Sequence, residues 1–281
     1  MKAQDIMQRD VITATPDTSL AQGRRLMQDK GIRHLPIVSG TQVVGMVTDR
    51  DIREAAPSAA TTLSKGEVNY QMANVPLRTC MTRNVITVQP DVDAAQIAQL
   101  LIEHRFGCVP VVEDRRLLGM ITEIDCLRAL VTSTPHGEVR IQDVMRSSVL
   151  TATPENLLTA VVQQMRERRV RHVPVVTEGK KLVGILTDRD IRQAAASDEQ
   201  HMAQYDLSYL LQKMAVESIM TAHVHTVSGA ATLAEAGQLM LHHKVGCLPV
   251  VRDEDILEGI ITVTDILRAY VRQHETVGQV S

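Results

Sequence analysis

The chain has 281 residues, 44% of them hydrophobic, and a formal net charge of −3. This length predicts about two domains with a sizeable core, and the mixed charges lack the basic surplus typical of nucleic-acid binding. Trp is absent and Phe occurs once, so the rows of aromatic side chains on which single-stranded nucleic acids stack are missing as well.

The four cysteines form no CxxC pair, which argues against a zinc ribbon or a thioredoxin-type site, and we expect no metal. The opening MKAQDIMQRD has no apolar stretch of signal-peptide length, and no apolar run reaches the roughly 18 residues of a membrane span. We therefore expect a cytoplasmic protein that does not contact a membrane or nucleic acid.

The first 56 residues predict five elements in chain order. VITA around Thr13 is short and β-branched, as in a strand. SLAQGRRLMQDKG predicts a helix, with Leu20, Leu26 and Met27 at helical spacing and Gly31 as its stop. HLPIV and VVGMV predict two strands around a polar turn, and TDRDIREA predicts a second helix. The order is strand, helix, strand, strand, helix.

The same unit occurs four times. A Met precedes a Thr by six positions, and a Pro follows that Thr by 23 positions. A second Thr follows, with a Gly three positions before it and an Asp three positions after it. Copies one and three share TDRDIR, whereas copies two and four share GCxPVV, so a whole pair is duplicated.

We predict a first pair at residues 1–131, with units at about 1–56 and 77–131. A linker follows at 132–140, where TSTPHGEVR carries Pro and Gly, and a second pair at 141–275 has units at about 141–196 and 216–271. Each unit of fifty-odd residues buries little by itself, which gives the units a physical reason to pair.

A longer insert separates the units of each pair. Ser64 and Glu67 fit a capping box, which predicts a short helix in the first insert. Tyr70 and Tyr209 precede the next repeat Met by the same number of positions. We interpret the inserts as packing and positioning elements.

Each second Thr belongs to a Gly-h-h-Thr-x-x-Asp motif, where h is apolar, as in Gly45–Asp51. One interpretation is a capping box with Thr48 as the N-cap and Asp51 as its partner. The other is a ligand site, because a helix N-terminus suits a phosphate and a nearby Asp can accept hydrogen bonds from ribose hydroxyls. The motif alone leaves both open.

The four units resemble CBS domains, the module of cystathionine β-synthase, and each pair resembles a Bateman module. The resemblance covers nearly the whole chain and rests on four copies that agree in order and spacing. It implies an α/β fold of four CBS units paired into two Bateman modules, with adenosine-containing ligands in the clefts between paired units. The motif Thr would contact ribose or phosphate and the motif Asp would bind ribose, at Thr48 and Asp51, Thr122 and Asp125, Thr187 and Asp190, and Thr262 and Asp265.

The resemblance also implies that each adenine pocket is lined by the Thr of the first strand and by the run around the Pro. These residues are Thr13, Leu35, Pro36 and Ile37; Thr87, Val109, Pro110 and Val111; Thr151, Val173, Pro174 and Val175; and Thr226, Leu248, Pro249 and Val250. Copy four departs from the others at Gly229, where they carry Pro16, Pro90 and Pro154, which leaves the exit of its first strand open.

The odd copies carry basic groups that the even copies lack: Arg33, His34, Arg50 and Arg53 in copy one, and Arg171, His172, Arg189 and Arg192 in copy three. We interpret them as phosphate ligands; the alternative is that they pair with Asp49, Asp188 or helix carboxylates. Arg128 and Arg268 in the even copies stand one position later, and the turn of about 100° per residue should point them elsewhere. We expect phosphates in the odd sites, and even sites that are neutral, weaker or selective for an uncharged nucleoside moiety.

Together with this resemblance, these features predict a non-catalytic, stand-alone regulatory protein. The chain resembles the stand-alone bacterial proteins of the CBS family. It would sense energy state by binding AMP, ADP or ATP and would signal to an unidentified protein partner through a population shift. The alternatives are a sensor of S-adenosylmethionine, NAD or a cyclic dinucleotide, a ligand-free interaction scaffold, and a weak enzyme acting on nucleotides. The four units could form a disc within one chain, or the chain could form a homodimer.

Overall fold

The computed structural model describes residues 1–56, 65–133, 139–198 and 213–278. Its contacts divide the chain into two compact units, Met1–Leu130 with Val271–Ser281, and Val131–Tyr270. Tyr209 of the second insert lies outside the described residues.

The first unit contains two copies of the repeat. Its elements are α1 Ala3–Ile6, α2 Leu20–Lys30, β1 His34–Ser39, β2 Gln42–Thr48, α3 Asp49–Ala55, α4 Lys65–Asn74, α5 Ala94–His104, β3 Cys108–Glu113, β4 Arg116–Thr122 and α6 Glu123–Ser133. Strands β1 to β4 form one sheet in the order β1-β2-β4-β3. A single antiparallel pair, Gln42 with Arg116, joins its two hairpins.

Copies three and four make up most of the second unit, and their strands form two separate sheets. Its elements are α7 Ile141–Val144, α8 Leu158–Arg168, β5 His172–Val176, β6 Leu182–Thr187, α9 Asp188–Asp198, β7 Val227–Ser228, α10 Leu233–His243, β8 Cys247–Arg252, β9 Ile256–Thr262 and α11 Val263–Gly278. β5 and β6 form one antiparallel hairpin, and β7, β8 and β9 form a three-stranded sheet.

The predicted helices and hairpins are confirmed. Ser19 caps α2 in a capping box with Gln22, and Gly31 ends that helix with a left-handed φ of 64°. The predicted insert helix is α4, and Ser64 of its predicted capping box lies outside the described residues. The first strand is shorter than predicted, because in copy one it amounts to a single parallel bridge between Ala14 and Ile37.

The copies exchange their first segments within each pair, a feature that the sequence did not reveal. Residues at the start of copy one lie on copy two, where Gln8 pairs with Met120. The start of copy two lies on copy one, where Thr82 pairs with Met46. The second pair does the same through two bridges, Arg146 with Ile260 and Thr221 with Ile185.

This exchange explains why the repeat contains both a Met and a Gly. A Cβ atom on Gly45 would lie 2.6 Å from Sδ of Met81, and one on Gly119 would lie 2.7 Å from Sδ of Met7. Each repeat Met therefore packs on the motif Gly of the other copy in its pair. Met7 is buried in this contact, and Met81 is half-buried.

Candidate functional site

The motif forms a capping box in all four copies. In copy one, the backbone N–H and Oγ1 of Thr48 each donate to Oδ2 of Asp51 at 2.7 Å, and the Asp51 N–H donates to Oγ1 at 3.3 Å. The same three bonds recur at Asp125, Asp190 and Asp265. One carboxylate oxygen of each Asp is thus committed to the helix start, and only Oδ1 is left for another partner.

In the even copies, Oδ1 already has a partner. Gln8 Nε2 donates to Oδ1 of Asp125 at 2.9 Å. Arg146 donates to Oδ1 of Asp265 through Nε at 3.1 Å and Nη2 at 2.9 Å. Both carboxylates are buried, with side-chain exposures of 6% for Asp125 and 5% for Asp265.

In the odd copies, Oδ1 is open. Within the described part of the chain, no residue donates a hydrogen bond to Oδ1 of Asp51 or Asp190 or forms an ion pair with it. Both aspartates are half-buried rather than buried. The odd copies therefore present a carboxylate oxygen that can accept a hydrogen bond from a ligand.

The expectation that Arg128 and Arg268 point elsewhere is wrong. Arg128 Nη1 lies 3.6 Å from Oδ1 of Asp125, and Arg268 Nη1 lies 3.3 Å from Oδ1 of Asp265. A spacing of three residues brings two side chains onto the same helix face, so each Arg reaches the Asp of its own motif. The fourth copy consequently carries two arginines at its carboxylate, where the sequence predicted a site that is neutral, weaker or selective for an uncharged nucleoside moiety.

Backbone bonds bring the other predicted segments of copy one to the start of α3. The carbonyl of Arg33 accepts from the N–H of Asp49 at 3.1 Å, which holds the Arg33–His34 loop beside Thr48. The carbonyl of Pro36 accepts from Ala14, so the Thr13 segment runs along β1.

Copy three has the same two bonds, which place the loop with Arg171 and His172 beside the start of α9. The carbonyl of Arg171 accepts from Asp188 at 3.0 Å, and that of Pro174 accepts from Ala152 at 3.1 Å. Thr151, next to Ala152 on the segment that lies beside β5, is exposed. Copies two and four repeat the bond at the helix start, from Glu123 to Gly107 and from Val263 to Gly246.

Three of the predicted phosphate ligands form ion pairs on their own helices. Arg53 lies 3.4 Å from Asp49, and Arg192 lies 3.4 Å from Asp188. Arg50 lies 3.5 Å from Glu54, and its side chain is 79% exposed. These are the surface pairs that the alternative interpretation of the basic groups predicts, and such pairs are weak enough for an anion to displace.

The apolar runs around the repeat Pro lie in the core. Leu35 and Ile37 have no exposed surface and belong to the hydrophobic cluster around Leu20 and Met27. Their counterparts are equally buried: Val109, Val111, Val173, Val175, Leu248 and Val250. In this arrangement only the backbone of these runs can face a ligand.

The alternation of Arg-His and Gly-Cys between copies has a structural role that the sequence did not reveal. A Cβ atom on Gly107 would lie 2.8 Å from Cε1 of His34, so the missing side chain of copy two leaves room for the His ring of copy one. Gly246 faces His172 with more space, at 3.7 Å from Nε2. The two loops of each pair therefore meet. At Gly107 a side chain would clash with the His34 ring, whereas at Gly246 a Cβ would make only ordinary contact with His172.

The cysteines are small core residues with the exception of Cys80. Burial raises the pKa of the Cys108, Cys126 and Cys247 thiols to about 12. Burial and then the negative charge of Asp51 raise the pKa of Cys80, which places this half-exposed thiol near the first motif carboxylate.

The backbone that follows the first strand of copy four makes the same hydrogen bond as in copy two, although Gly229 replaces the Pro. The carbonyl of Gly229 accepts from Gln142 at 3.0 Å, as the carbonyl of Pro90 accepts from Gln4 at 2.9 Å. The substitution of Gly for Pro leaves this acceptor in place, and β7 lengthens to two paired residues.

A cavity of about 100 Å³ in the second unit is lined by Ser147, Val149, Thr151, Lys180, Leu257 and Glu258. It is smaller than the roughly 300 Å³ at which small-molecule sites begin. No group of three His, Cys, Asp or Glu side chains in the described ranges could hold a metal ion. No helix among them is both long and apolar enough to cross a bilayer.

Comparison with known proteins identifies the family. The profile of the CBS domain matches residues 3–58, 77–132, 141–197 and 216–272. The chain therefore belongs to the CBS domain family, with four copies that pair as in Bateman modules. The resemblance predicted from the repeat and the α/β fold that it implied are both confirmed.

Two relatives match along almost the whole chain. Protein MJ1225 of Methanocaldococcus jannaschii is 31% identical over 271 residues, which are 93% of this chain and 96% of that protein. Its crystal structure, described as that of a candidate archaeal homolog of γ-AMPK, matches with a TM-score of 0.77 and covers 96% of this chain and all of that one. A conserved protein from Pyrococcus horikoshii has the same fold, with a TM-score of 0.68 at 20% identity.

The family also occurs within enzymes. An inosine-5′-monophosphate dehydrogenase from Korarchaeum cryptofilum is 28% identical over 171 residues, which are 57% of this chain and 33% of that enzyme. Two thirds of the enzyme therefore have no counterpart here.

Proposed function

We propose that this protein is a non-catalytic regulator that binds phosphorylated adenine nucleotides, AMP, ADP or ATP, at the sites of Asp51 and Asp190. A ligand that favours one arrangement of a pair would change how the pair binds a protein partner. Membership of the CBS family supports ligand binding, and the similarity to MJ1225, described as a candidate γ-AMPK homolog, supports an adenine nucleotide.

The observation that carries the proposal is the difference between odd and even carboxylates. Oδ1 of Asp51 and of Asp190 is open to accept from a ribose hydroxyl, whereas its counterparts in the even copies already accept bonds from Gln8 and Arg146. The loops beside the open sites carry Arg33 with His34 and Arg171 with His172, which suit phosphate oxygens. Surface ion pairs such as Arg53–Asp49 contribute little to stability, so they can open when a phosphate binds.

Two double variants test this proposal by calorimetric titration with AMP, ADP and ATP. Asp51→Ala with Asp190→Ala should remove most nucleotide binding. Asp125→Ala with Asp265→Ala is the control, because each double variant loses two capping boxes and the associated stability, about 1 kcal/mol per box. The control also loses the bonds from Gln8 and Arg146, so it is the more destabilised of the two, and a loss of binding caused by instability alone would be larger in the control. Equal loss of binding in both double variants would contradict the odd sites as the nucleotide sites.

S-adenosylmethionine, NAD and a cyclic dinucleotide are the competing ligands. If one of these binds in preference to all three adenine nucleotides, that compound replaces the proposed ligand, and the role as a ligand-binding regulator remains. Absence of any binding would favour an interaction scaffold.

A further inference from the structure

The residue after the repeat Met differs among the copies and lies at the motif of the neighbouring copy. It is Gln8, Thr82, Arg146 or Thr221. Each forms a backbone bridge with the residue two positions before a motif Thr, as Arg146 does with Ile260. This side chain is therefore supplied to each motif from the other copy of the pair.

The length of this side chain decides whether the motif carboxylate is occupied. Gln8 and Arg146 reach Oδ1 of Asp125 and Asp265 at 2.9 Å. At the corresponding places in the odd copies, Thr82 and Thr221 make no such bond to Asp51 or Asp190 within the described chain.

We propose that Gln8 and Arg146 are internal occupants of the second and fourth sites, where each takes the carboxylate oxygen that a ribose hydroxyl would need. The proposal rests on the function proposed above and goes beyond it, since it assigns site selectivity to one residue position on the exchanged segment. The chain closes two of its four sites with its own side chains.

The fourth site is closed more firmly than the second. Arg146 places two N–H groups on one buried carboxylate oxygen, and Arg268 adds a third contact at 3.3 Å. Charge-assisted bonds of this kind are about twice as strong as the neutral bond that a ribose hydroxyl would offer. At the second site Gln8 gives one amide bond, so the order of nucleotide affinity is odd sites, then the second, then the fourth.

A reciprocal exchange of side chains tests this inference. Arg146→Thr gives the fourth motif the residue that the odd copies have at this place. It leaves Arg268 at Oδ1 of Asp265, but that side chain is 39% exposed and forms a surface pair weak enough for a ligand to displace. Thr82→Arg gives the first motif the residue that the fourth has. Equilibrium dialysis with ATP should show one more site per chain for Arg146→Thr and one fewer for Thr82→Arg. The variant with both changes should bind as many nucleotides as the unmodified chain.

The outcomes separate this inference from the proposed function. An unmodified chain that binds no nucleotide contradicts the proposed function. An unmodified chain that binds nucleotide, together with Arg146→Thr that gains no site, contradicts the inference alone. Weaker binding in Arg146→Thr would make Arg146 a phosphate ligand and would likewise overturn it.

A second substitution guards against misfolding. Arg146→Gln keeps a hydrogen bond to Asp265 of the type that Gln8 makes to Asp125, and it should raise ATP affinity at the fourth site less than Arg146→Thr does. Equal gains from Gln and Thr would contradict the role of the hydrogen bond at Oδ1.

Discussion

Gly259→Ala tests the placement of the exchanged segment. A Cβ atom at this position would lie 2.8 Å from the carbonyl oxygen of Arg146 and 2.8 Å from Sδ of Met145. The first distance is about 0.6 Å short of the 3.4 Å at which ordinary contact begins, so the segment's backbone must move.

That movement has a definite energetic cost. Arg146 and Ile260 exchange two backbone hydrogen bonds of 3.0 Å, and both lengthen when the segment shifts. Overpacking costs about 1–3 kcal/mol, and a weakened hydrogen bond adds about 0.5–1.5 kcal/mol. We expect Gly259→Ala to lower the free energy of unfolding by about 2–3 kcal/mol.

Gly184→Ala is the matched control in the same unit. Its nearest atoms all belong to the Met220 side chain, with Sδ at 2.6 Å. A Met side chain can rotate away about its three bonds, so the loss should stay below about 1 kcal/mol.

Urea unfolding of both variants measures the difference, and thermal unfolding should show a fall of about 3 °C for each kcal/mol. Gly184→Ala at least as destabilising as Gly259→Ala would refute the packing of residues 145–146 on β9.

Three further predictions follow from local geometry. Arg169 ends α8 with a left-handed φ of 55°, a conformation costly for a side chain, so Arg169→Gly should raise the free energy of unfolding by about 0.5–1 kcal/mol; a loss in urea unfolding would contradict this. In native protein at pH 8, iodoacetamide should alkylate Cys80 before the three buried cysteines, as peptide mass spectrometry can check; faster modification of Cys108 would be inconsistent with its burial. Burial raises the pKa of the Cys108 thiol from 9.0 to about 12 in the folded protein. The thiol therefore loses its proton at a lower pH in the unfolded chain than in the folded one, and the free energy of unfolding should fall as the pH rises from 9 towards 12. Cys108→Ala should reduce the difference in the free energy of unfolding between pH 8 and pH 10, as urea unfolding can measure. An unchanged difference would contradict the raised pKa of Cys108.

The fold was predictable because the repeat supplies the same information four times. Spacing of Met, Thr, Pro, Gly and Asp defined the units, and local signals such as Ser19 and Gly31 defined the ends of α2. The exchange of first segments was not predictable, because the same Met-on-Gly contact could form within a copy or between copies. Only tertiary structure decides which Met meets which Gly.

The candidate site was predictable in its motif and not in its occupancy. The spacing of Thr48 and Asp51 gave the capping box as one of two interpretations, and the structure shows its bonds. The bond from Arg146 to Asp265 spans 119 positions, and no local pattern predicts a contact at that separation. Arg268 shows the limit of counting helical angles, since its long side chain reaches back to the carboxylate three residues before it.

A thermal-shift titration of ligand-free protein with AMP, ADP, ATP, S-adenosylmethionine, NAD and cyclic di-AMP shows whether the chain binds adenine nucleotides. A ligand that binds the folded state stabilises it by about 2.7 kcal/mol at a hundredfold excess over its Kd. We predict a clear rise in Tm with a phosphorylated adenine nucleotide, abolished in the Asp51→Ala, Asp190→Ala variant. No rise with any of the six ligands would contradict a nucleotide-binding regulator.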